Sequence, residues 1–217
     1  MHIILTGATG SFTLPSGDGL DTQKAQIIVH DNFSAYPSSV TDLLQGADGC
    51  VWAQGISQTQ VSKEEYVRIT HDYPLAAAKA FSTLSKNNKF NFVYVSGEGA
   101  DPTEKTFAYF GKIKGRAEAA LTALSTTHSA LRLFNVRPGY VAPGEHKQMS
   151  ALSRAGFAVA GSMFKLIVPN QISPPDVLAK VLVDIVTGDG NPLPAGKGIE
   201  DGGRTVRCIA IRKMGGL

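Results

Sequence analysis

Gly7 and Gly10, in Met1-His-Ile-Ile-Leu-Thr-Gly-Ala-Thr-Gly10, are the first residues whose type and spacing could do chemistry. Glycines three apart let a backbone turn sharply and come close to a bound group, as in G-x-x-G and G-x-G-x-x-G phosphate turns. A complete turn of this kind places a third glycine three residues further on, so that a helix can pack against the preceding strand. Here that residue is Thr13. The five histidines, His2, His30, His71, His128 and His146, and the two cysteines, Cys50 and Cys208, show no metal-ligand spacing, so no metal is expected. His71 and Asp72 are neighbours on a helical stretch and point in different directions, which makes them surface or capping groups.

The elements that must carry these residues follow from hydrophobic spacing. Ile3 to Leu5 is a brief continuous apolar run before a glycine, the pattern of a strand buried on both faces of a parallel sheet. Leu14-Pro-Ser-Gly-Asp-Gly-Leu20 has loop composition. The next strand-like run, Gln26-Ile-Ile-Val-His30, comes sooner than the roughly thirty residues of a strand–helix–strand unit allow. The first crossover helix and the second strand are therefore expected to be missing. Val40 to Gly46 reads as a short helix ending at glycine, and Asp48 to Gly55 as a strand and turn.

Ser62 and Glu65 have the capping-box spacing, which starts a helix running towards Leu84 with Tyr66, Ile69, Tyr73, Ala77 and Phe81 near one face and a kink at Pro74. Phe90 to Val95 is a strand ending in Ser96-Gly-Glu-Gly-Ala-Asp101. A long helix follows from Lys105 to Leu124, with Phe107, Phe110, Lys114, Ala117 and Leu121 on one stripe, and then a strand from Ala130 to Val136 closed by Arg137-Pro-Gly-Tyr140. Ser150 to Val168 is an apolar helical segment suited to packing or to covering a cleft. Ser173 is placed to cap a helix with Pro174 in its first turn and Gly188 at its end, and Gly203 to Ile211 alternates like a late strand at an edge. Such alternation means an α/β fold with a parallel sheet covered on both faces. Residues 1–217 form one domain, with 1–145 as the nucleotide-fold core and 146–217 as substrate-side helices and a late strand.

Composition excludes several classes. With 217 residues, 43% hydrophobic and 18% charged, the chain can bury one sizeable core and is neither disordered nor fibrous. No apolar run reaches the ~18 residues of a membrane span, and the N-terminus lacks a signal-peptide pattern. The cysteines fall in strand-like runs, which suits buried thiols in a reducing compartment, so the cytoplasm is expected. A net charge of +3 without a Lys/Arg stripe gives no argument for nucleic acid.

Taken together, Thr6-Gly-Ala-Thr-Gly10, Val93-Tyr-Val-Ser96, Lys114-Gly-Arg-Ala-Glu118 and Arg137-Pro-Gly139 resemble an atypical short-chain dehydrogenase/reductase. The fold implied is a Rossmann-like doubly wound parallel sheet with its first βαβ unit shortened. The nearest branch resembles the NmrA-like and oxidoreductase-type tumour suppressor proteins, and the likeness covers most of residues 1–145. It implies NADP or NAD as cofactor, with a phosphate turn at Gly7, Thr9 and Gly10, an adenine-side contact at Asp31, and a wall near the nicotinamide ribose at Ala53 and Gly55.

The family's catalytic helix carries Tyr-x-x-x-Lys, in which the lysine binds ribose hydroxyls and lowers the pKa of a phenol one turn earlier. Lys114 matches the lysine, but Phe110 stands where the phenol belongs. Tyr109 lies about 100° round the helix from that position and substitutes only if the helix is rotated or overwound. Ser96 matches the strand-end serine that orients a substrate carbonyl, or is a plain strand-end serine. Glu98 is an acid or base candidate at the same edge, or a solvated loop carboxylate. Tyr140, after the Arg137-Pro-Gly139 turn, faces the substrate if the sheet order is the usual one.

Two function classes follow. The first is an NAD(P)-dependent oxidoreductase on a small carbonyl or alcohol, with catalytic residues Ser96, Tyr109 and Lys114 and substrate contacts at Glu98, Phe110 and Tyr140. Against it stand Thr13, the missing helix, Phe110, and the absence of any Arg or Lys between Gly10 and Gln23 to hold a 2′-phosphate. The second keeps the fold and cleft without hydride chemistry, as an isomerase, cyclase or dehydratase, or as a nucleotide-sensing or partner-binding protein. The expected partner is a small-molecule substrate, with no nucleic acid and no membrane. An apolar flank left by the missing helix would favour a homodimer.

Overall fold

The structure is a computed structural model, and it describes residues 1–7, 24–141 and 171–217. Six strands form one sheet: β1 (Ile3–Thr6), β2 (Gly49–Trp52), β3 (Phe90–Val95), β4 (Leu131–Arg137), β5 (Ile199–Glu200) and β6 (Thr205–Arg207). Their spatial order is β1-β2-β3-β4-β6-β5, parallel throughout except for the antiparallel pairing of β5 with β6. Helices cover both faces, so the expected doubly wound α/β class holds. On one face α3 (Tyr73–Phe81) and α4 (Tyr109–Thr127) bury Ala77, Phe81, Ala117 and Leu121 against Cys50, Trp52, Phe92 and Leu133. On the other, α5 (Pro175–Thr187) and α6 (Cys208–Met214) bury Val181, Ile185 and Ile211 against Val51, Val93, Val136 and Val206.

The N-terminal third departs from the sequence expectation. Residues 3–6 do form a strand, but it pairs only with β2 among the described residues. It is an edge of the described sheet, and Leu5 is 64% exposed there rather than buried. Gln26–His30 is no strand. Ile28 leans with Phe33 and Tyr36 onto the α3 face of the core while Ile27 and Val29 point outward, so the run crosses that face and never enters the sheet plane. In the described part of the β1–β2 connection the only α-helix is the four-residue α1 (Ser38–Thr41), which tightens into a 3₁₀ turn before Gly46. Thr9, Gly10, Thr13, the Leu14–Leu20 loop and the Ser150–Val168 segment lie outside the described residues.

Further along, the expectations hold with local corrections. Ser62 caps α2 (Lys63–Val67), its hydroxyl accepting from Glu65 N at 3.1 Å. The helix does not run unbroken: a π-helical turn, Arg68–Asp72, separates α2 from α3 immediately before Pro74, whose missing N–H leaves one helical bond unmade. Helix α4 begins at Tyr109 instead of Lys105 because Asp101 holds the preceding loop, accepting from Thr103 N at 2.9 Å and Thr106 N at 2.8 Å. Phe107 is in consequence fully exposed and not part of the apolar stripe. The N-cap of α5 is Pro174, not Ser173, whose hydroxyl accepts from Gly139 N instead. The late strand stops at Arg207, since Glu98 Oε2 accepts from Cys208 N at 3.1 Å and draws the chain into α6. Cys208 is thus helical, and the sheet edge is β5 rather than β6.

Helix α4 is tied to β4 by a buried ion pair. Arg137 Nε donates to Glu118 Oε1 at 2.9 Å and Arg137 Nη2 to Oε2 at 2.5 Å, with side chains only 9% and 2% exposed. Removing one partner strands a buried charge, whereas replacing both with apolar groups does not. Arg137→Met should therefore lower the urea-unfolding free energy by about 3–5 kcal/mol, and the double variant Glu118→Leu/Arg137→Met should recover most of that loss.

Candidate active site

The carboxyl ends of the parallel strands converge on one crevice, the usual ligand position in an open α/β sheet. At the end of β1, Gly7 adopts φ +97°, and a Cβ there would lie 2.3 Å from the Ala53 carbonyl carbon and 2.5 Å from Gln54 N. The residue after β1 must therefore be glycine for the turn to seat against the end of β2. At the end of β3, the ladder to β4 continues through Ser96 N to Val136 O (2.8 Å) and Glu98 N to Pro138 O (2.8 Å), which fixes Ser96 at the crevice. Helix α4 packs against the loop that follows: a Cβ on Gly115 would sit 2.1 Å from the Asp101 carbonyl carbon. That close approach brings Lys114 to Ser96, and Lys114 Nζ donates to the Ser96 carbonyl at 2.5 Å.

Two cavities meet at this pair. A wider one of about 860 Å³ is lined by Ala53, Gln54, Gly55, Tyr94, Ser96 and Lys114 among others. A smaller one of about 450 Å³ is bounded by Ser96, Glu98, Phe110, Lys114, Gly139 and Tyr140 with their neighbours. Ser96 is buried, and its hydroxyl has no hydrogen-bond partner among the described residues. Gln54 Oε1, on the wall of the wider cavity, is likewise buried and unpartnered. Burial pulls the Lys114 ammonium down to a pKa of about 8, with Glu118 opposing the shift.

The structure thus brings together Ala53, Gly55, Ser96, Glu98, Phe110, Lys114 and Tyr140, and leaves two candidates outside. Tyr109 lines neither cavity; its hydroxyl donates to Lys63 O at 3.3 Å, on the α2 side of the helix. Asp31 is exposed on the segment that crosses the α3 face and lines neither cavity. Glu98 reaches the smaller cavity, but its carboxylate is held by Arg207 and by Cys208 N, so it is not a solvated loop group. His71 and Asp72 pair with each other at 2.7 Å. Sequence reasoning passed over Gln54 and Tyr94. Tyr94 sits in the quoted Val93-Tyr-Val-Ser96 stretch, but strand alternation hides which cavity it faces; its hydroxyl donates to Thr70 O at 3.0 Å, and burial pushes its pKa far up. Among the described residues no group of three or more His, Cys, Asp or Glu is gathered as for a metal, and no helix is long and apolar enough to cross a membrane.

Comparison with known proteins places this crevice in context. No family model matches the chain. It is 34% identical over 146 residues to the leucinostatins biosynthesis cluster protein T of Purpureocillium lilacinum, a match covering 57% of this chain and 52% of that protein. It is also 34% identical over 155 residues to the botcinic acid biosynthesis cluster B protein 16 of Botryotinia fuckeliana, covering 66% of this chain and 98% of that protein. The chain belongs to the family of these biosynthesis-cluster proteins. It spans about half the length of the first relative and nearly all of the second.

Among solved structures, the family's fold is shared by an angucycline C-6 ketoreductase with bound NADP (TM-score 0.51, 16% identity, 76% of this chain and 63% of that chain). An enoyl-(acyl-carrier-protein) reductase from Anaplasma phagocytophilum in complex with NAD gives TM-score 0.51 at 15% identity, covering 86% of this chain and 71% of that one. A short chain dehydrogenase family protein from Francisella tularensis gives TM-score 0.50 at 15% identity, with coverage of 70% and 69%. At these identities the likeness is one of fold, and the fold is an atypical form of the Rossmann-like short-chain dehydrogenase/reductase architecture.

The contact between Gly7 and Ala53 gives a direct check on the crevice. Gly7→Ala combines a strained positive φ with an overlap against backbone that cannot move aside, and should cost at least about 2 kcal/mol of stability, read as a fall in melting temperature.

Proposed function

We propose that this chain is an enzyme of a biosynthetic route that acts on a small carbonyl or alcohol compound in the cleft of Ser96, Glu98, Phe110, Lys114 and Tyr140, with NADP or NAD held along Ala53, Gly55 and Lys114. The single observation that carries the reading is Lys114, whose amine lies at the Ser96 carbonyl and lines both cavities. The residues present fit the nicotinamide end of such a cofactor. Gln54 Oε1 and the Ser96 hydroxyl are buried polar atoms without a protein partner, and with the Lys114 amine they make a wall suited to sugar hydroxyls and a carboxamide. The biosynthesis-cluster relatives and the NADP- and NAD-bound enzymes of the same fold support the same assignment.

A bound nicotinamide supplies or accepts a hydride at the substrate carbon. The chain's own groups do the rest. The Ser96 hydroxyl, free of internal partners, orients the substrate oxygen, and Lys114 holds hydroxyls on the wider-cavity side. Phe110 and Tyr140 flank the smaller cavity and limit water there.

A second reading, redox-free proton transfer by an isomerase, cyclase or dehydratase in the same cleft, is favoured by one specific observation. Phe110 stands one helical turn before Lys114, and Tyr109 is turned to Lys63, so neither gives the cleft a phenol.

Titration calorimetry with NADPH and NADH, paired with the shift in melting temperature, separates the two. Micromolar binding is expected, and Lys114→Ala should weaken it about 10- to 100-fold, the worth of one charge-assisted hydrogen bond. No binding at millimolar cofactor would remove the redox reading and leave the second.

A further inference from the structure

We propose that Gln54 is a specificity-determining residue of this crevice, whose buried Oε1 accepts a hydrogen bond from an N–H or O–H group of the bound molecule. The inference rests on the proposed reading of the crevice as a small-molecule site, and it does not depend on hydride chemistry.

The place of Gln54 is fixed by its backbone. It stands two residues after Trp52, which is fully buried at the end of β2, and a Cβ on Gly7 would lie 2.5 Å from its amide nitrogen, so the turn after β1 presses directly on it. The loop that follows spends its polar groups on itself. Ser57 N donates to Gln60 Oε1 at 3.4 Å, Gln60 N donates to Ser57 O at 3.0 Å, and the Ser57 and Thr59 hydroxyls share a bond of 2.9 Å. Gln54 Oε1 joins none of these bonds, although it is closed off from solvent on the wall of the wider cavity.

The protein donors on the same cavity are directed to backbone carbonyls: Tyr94 OH donates to Thr70 O at 3.0 Å, and Lys114 Nζ to Ser96 O. The Ser96 hydroxyl is also unpartnered, so it is not bonded to Gln54 either. A carboxamide oxygen has two lone pairs and no proton, so only a donor can complete it, whereas a hydroxyl can give or accept. The wall therefore suits a molecule that carries a donor together with an acceptor, as a primary carboxamide or a hydroxy-carbonyl compound does. A plain ketone of the same shape leaves Gln54 Oε1 as unsatisfied as it is in the free protein and gains nothing there. A site built to hydrogen-bond a ligand group rejects the analogue lacking that group more strongly than an apolar pocket can.

Two pairs of probes, each differing only in a methyl group that replaces the carboxamide NH₂, test the inference by titration calorimetry on the whole chain. NADH and its reduced 3-acetylpyridine analogue put the donor on a cofactor; benzamide and acetophenone put it on a substrate-sized molecule. The wild-type chain should prefer the carboxamide member of at least one pair by about 10-fold or more. Gln54→Met, close in shape but without the acceptor, should bind both members of that pair within about 2-fold, and Gln54→Leu should behave alike. The same substitutions remove an unsatisfied polar atom from the free protein, so the melting temperature should rise by about 2–4 °C, opposite in sign to the loss of a structural hydrogen bond. Equal affinity within both pairs in the wild type, a preference that survives Gln54→Met, a fall in the melting temperature of both variants, or binding of none of the four probes overturns the inference. A preference for benzamide without any binding of NADH or NADPH retires the nicotinamide reading and leaves the role of Gln54 standing.

Discussion

The buried pair of Glu118 and Arg137 is the interaction on which the site depends. It joins α4 to β4, and the same guanidinium reaches Glu200 on β5, which in turn contacts Arg207 on β6, which holds Glu98 on the loop after β3. One line of alternating charges thus runs behind the crevice from helix to sheet and back to the loop that carries Ser96. Buried charges are tolerated only when paired and hydrogen-bonded, and the two least exposed carboxylates of the line, Glu118 and Glu98, are held by an arginine or by a backbone amide, while Glu200 and Arg207 remain partly exposed. The chemical consequence lies one turn along α4: Lys114 sits beside this network without a direct ion pair to it, and Glu118 only opposes the effect of burial. The pairing that holds α4 in place thus also commits the Glu118 oxygens to Arg137 rather than to the cleft amine.

The parts of this arrangement that were legible in the sequence are those governed by local rules. The apolar run Phe90–Val95 marked its strand because burial on both faces demands it, and Ser62 with Glu65 marked the start of α2 because an N-cap satisfies an amide within three residues. Lys114 and Phe110 were recognisable through their four-residue spacing, and the structure places both on the cleft. What escaped depends on contacts between distant segments. Glu118 could be read as a helix residue, but nothing local tells that Arg137 will meet it across nineteen positions. The turn of the chain into α6 at Cys208 is set by Glu98, 110 residues earlier, against an alternation that favours strand. Tyr109 was a candidate by adjacency, and the roughly 100° that separates neighbours on a helix carried it to α2.

The N-terminal edge shows a different limit. Ile3 to Leu5 has the composition of a central strand, and in a complete doubly wound sheet it would be one. Composition reports the environment for which a segment is suited, while the neighbour that supplies this environment is a property of topology. Among the described residues β1 pairs only with β2, and Leu5 is exposed. The run at Gln26–His30 fails as a strand for the matching reason. Its alternate residue Ile28 gains burial by joining Phe33 and Tyr36 on the α3 face, an apolar environment that asks for no sheet register.

These distinctions decide how much each residue says about function. Gly7 carries the most familiar nucleotide signature, yet the close approach of Ala53 and Gln54 requires glycine there whether or not a phosphate is ever bound. Its presence is explained by packing, and it adds little to the case for a cofactor. The Ser96 hydroxyl and Gln54 Oε1 are the opposite: both are buried, both lack a partner among the described residues, and an apolar side chain at either place would spare the protein the cost of an unsatisfied polar atom. Lys114 belongs with them, since a desolvated lysine without a direct ion pair destabilises the fold that holds it. Groups kept in a fold against its own stability are the ones whose explanation must lie in what they bind; Ser96 and Lys114 stand at the junction of the two cavities, and Gln54 on the wall of the wider one.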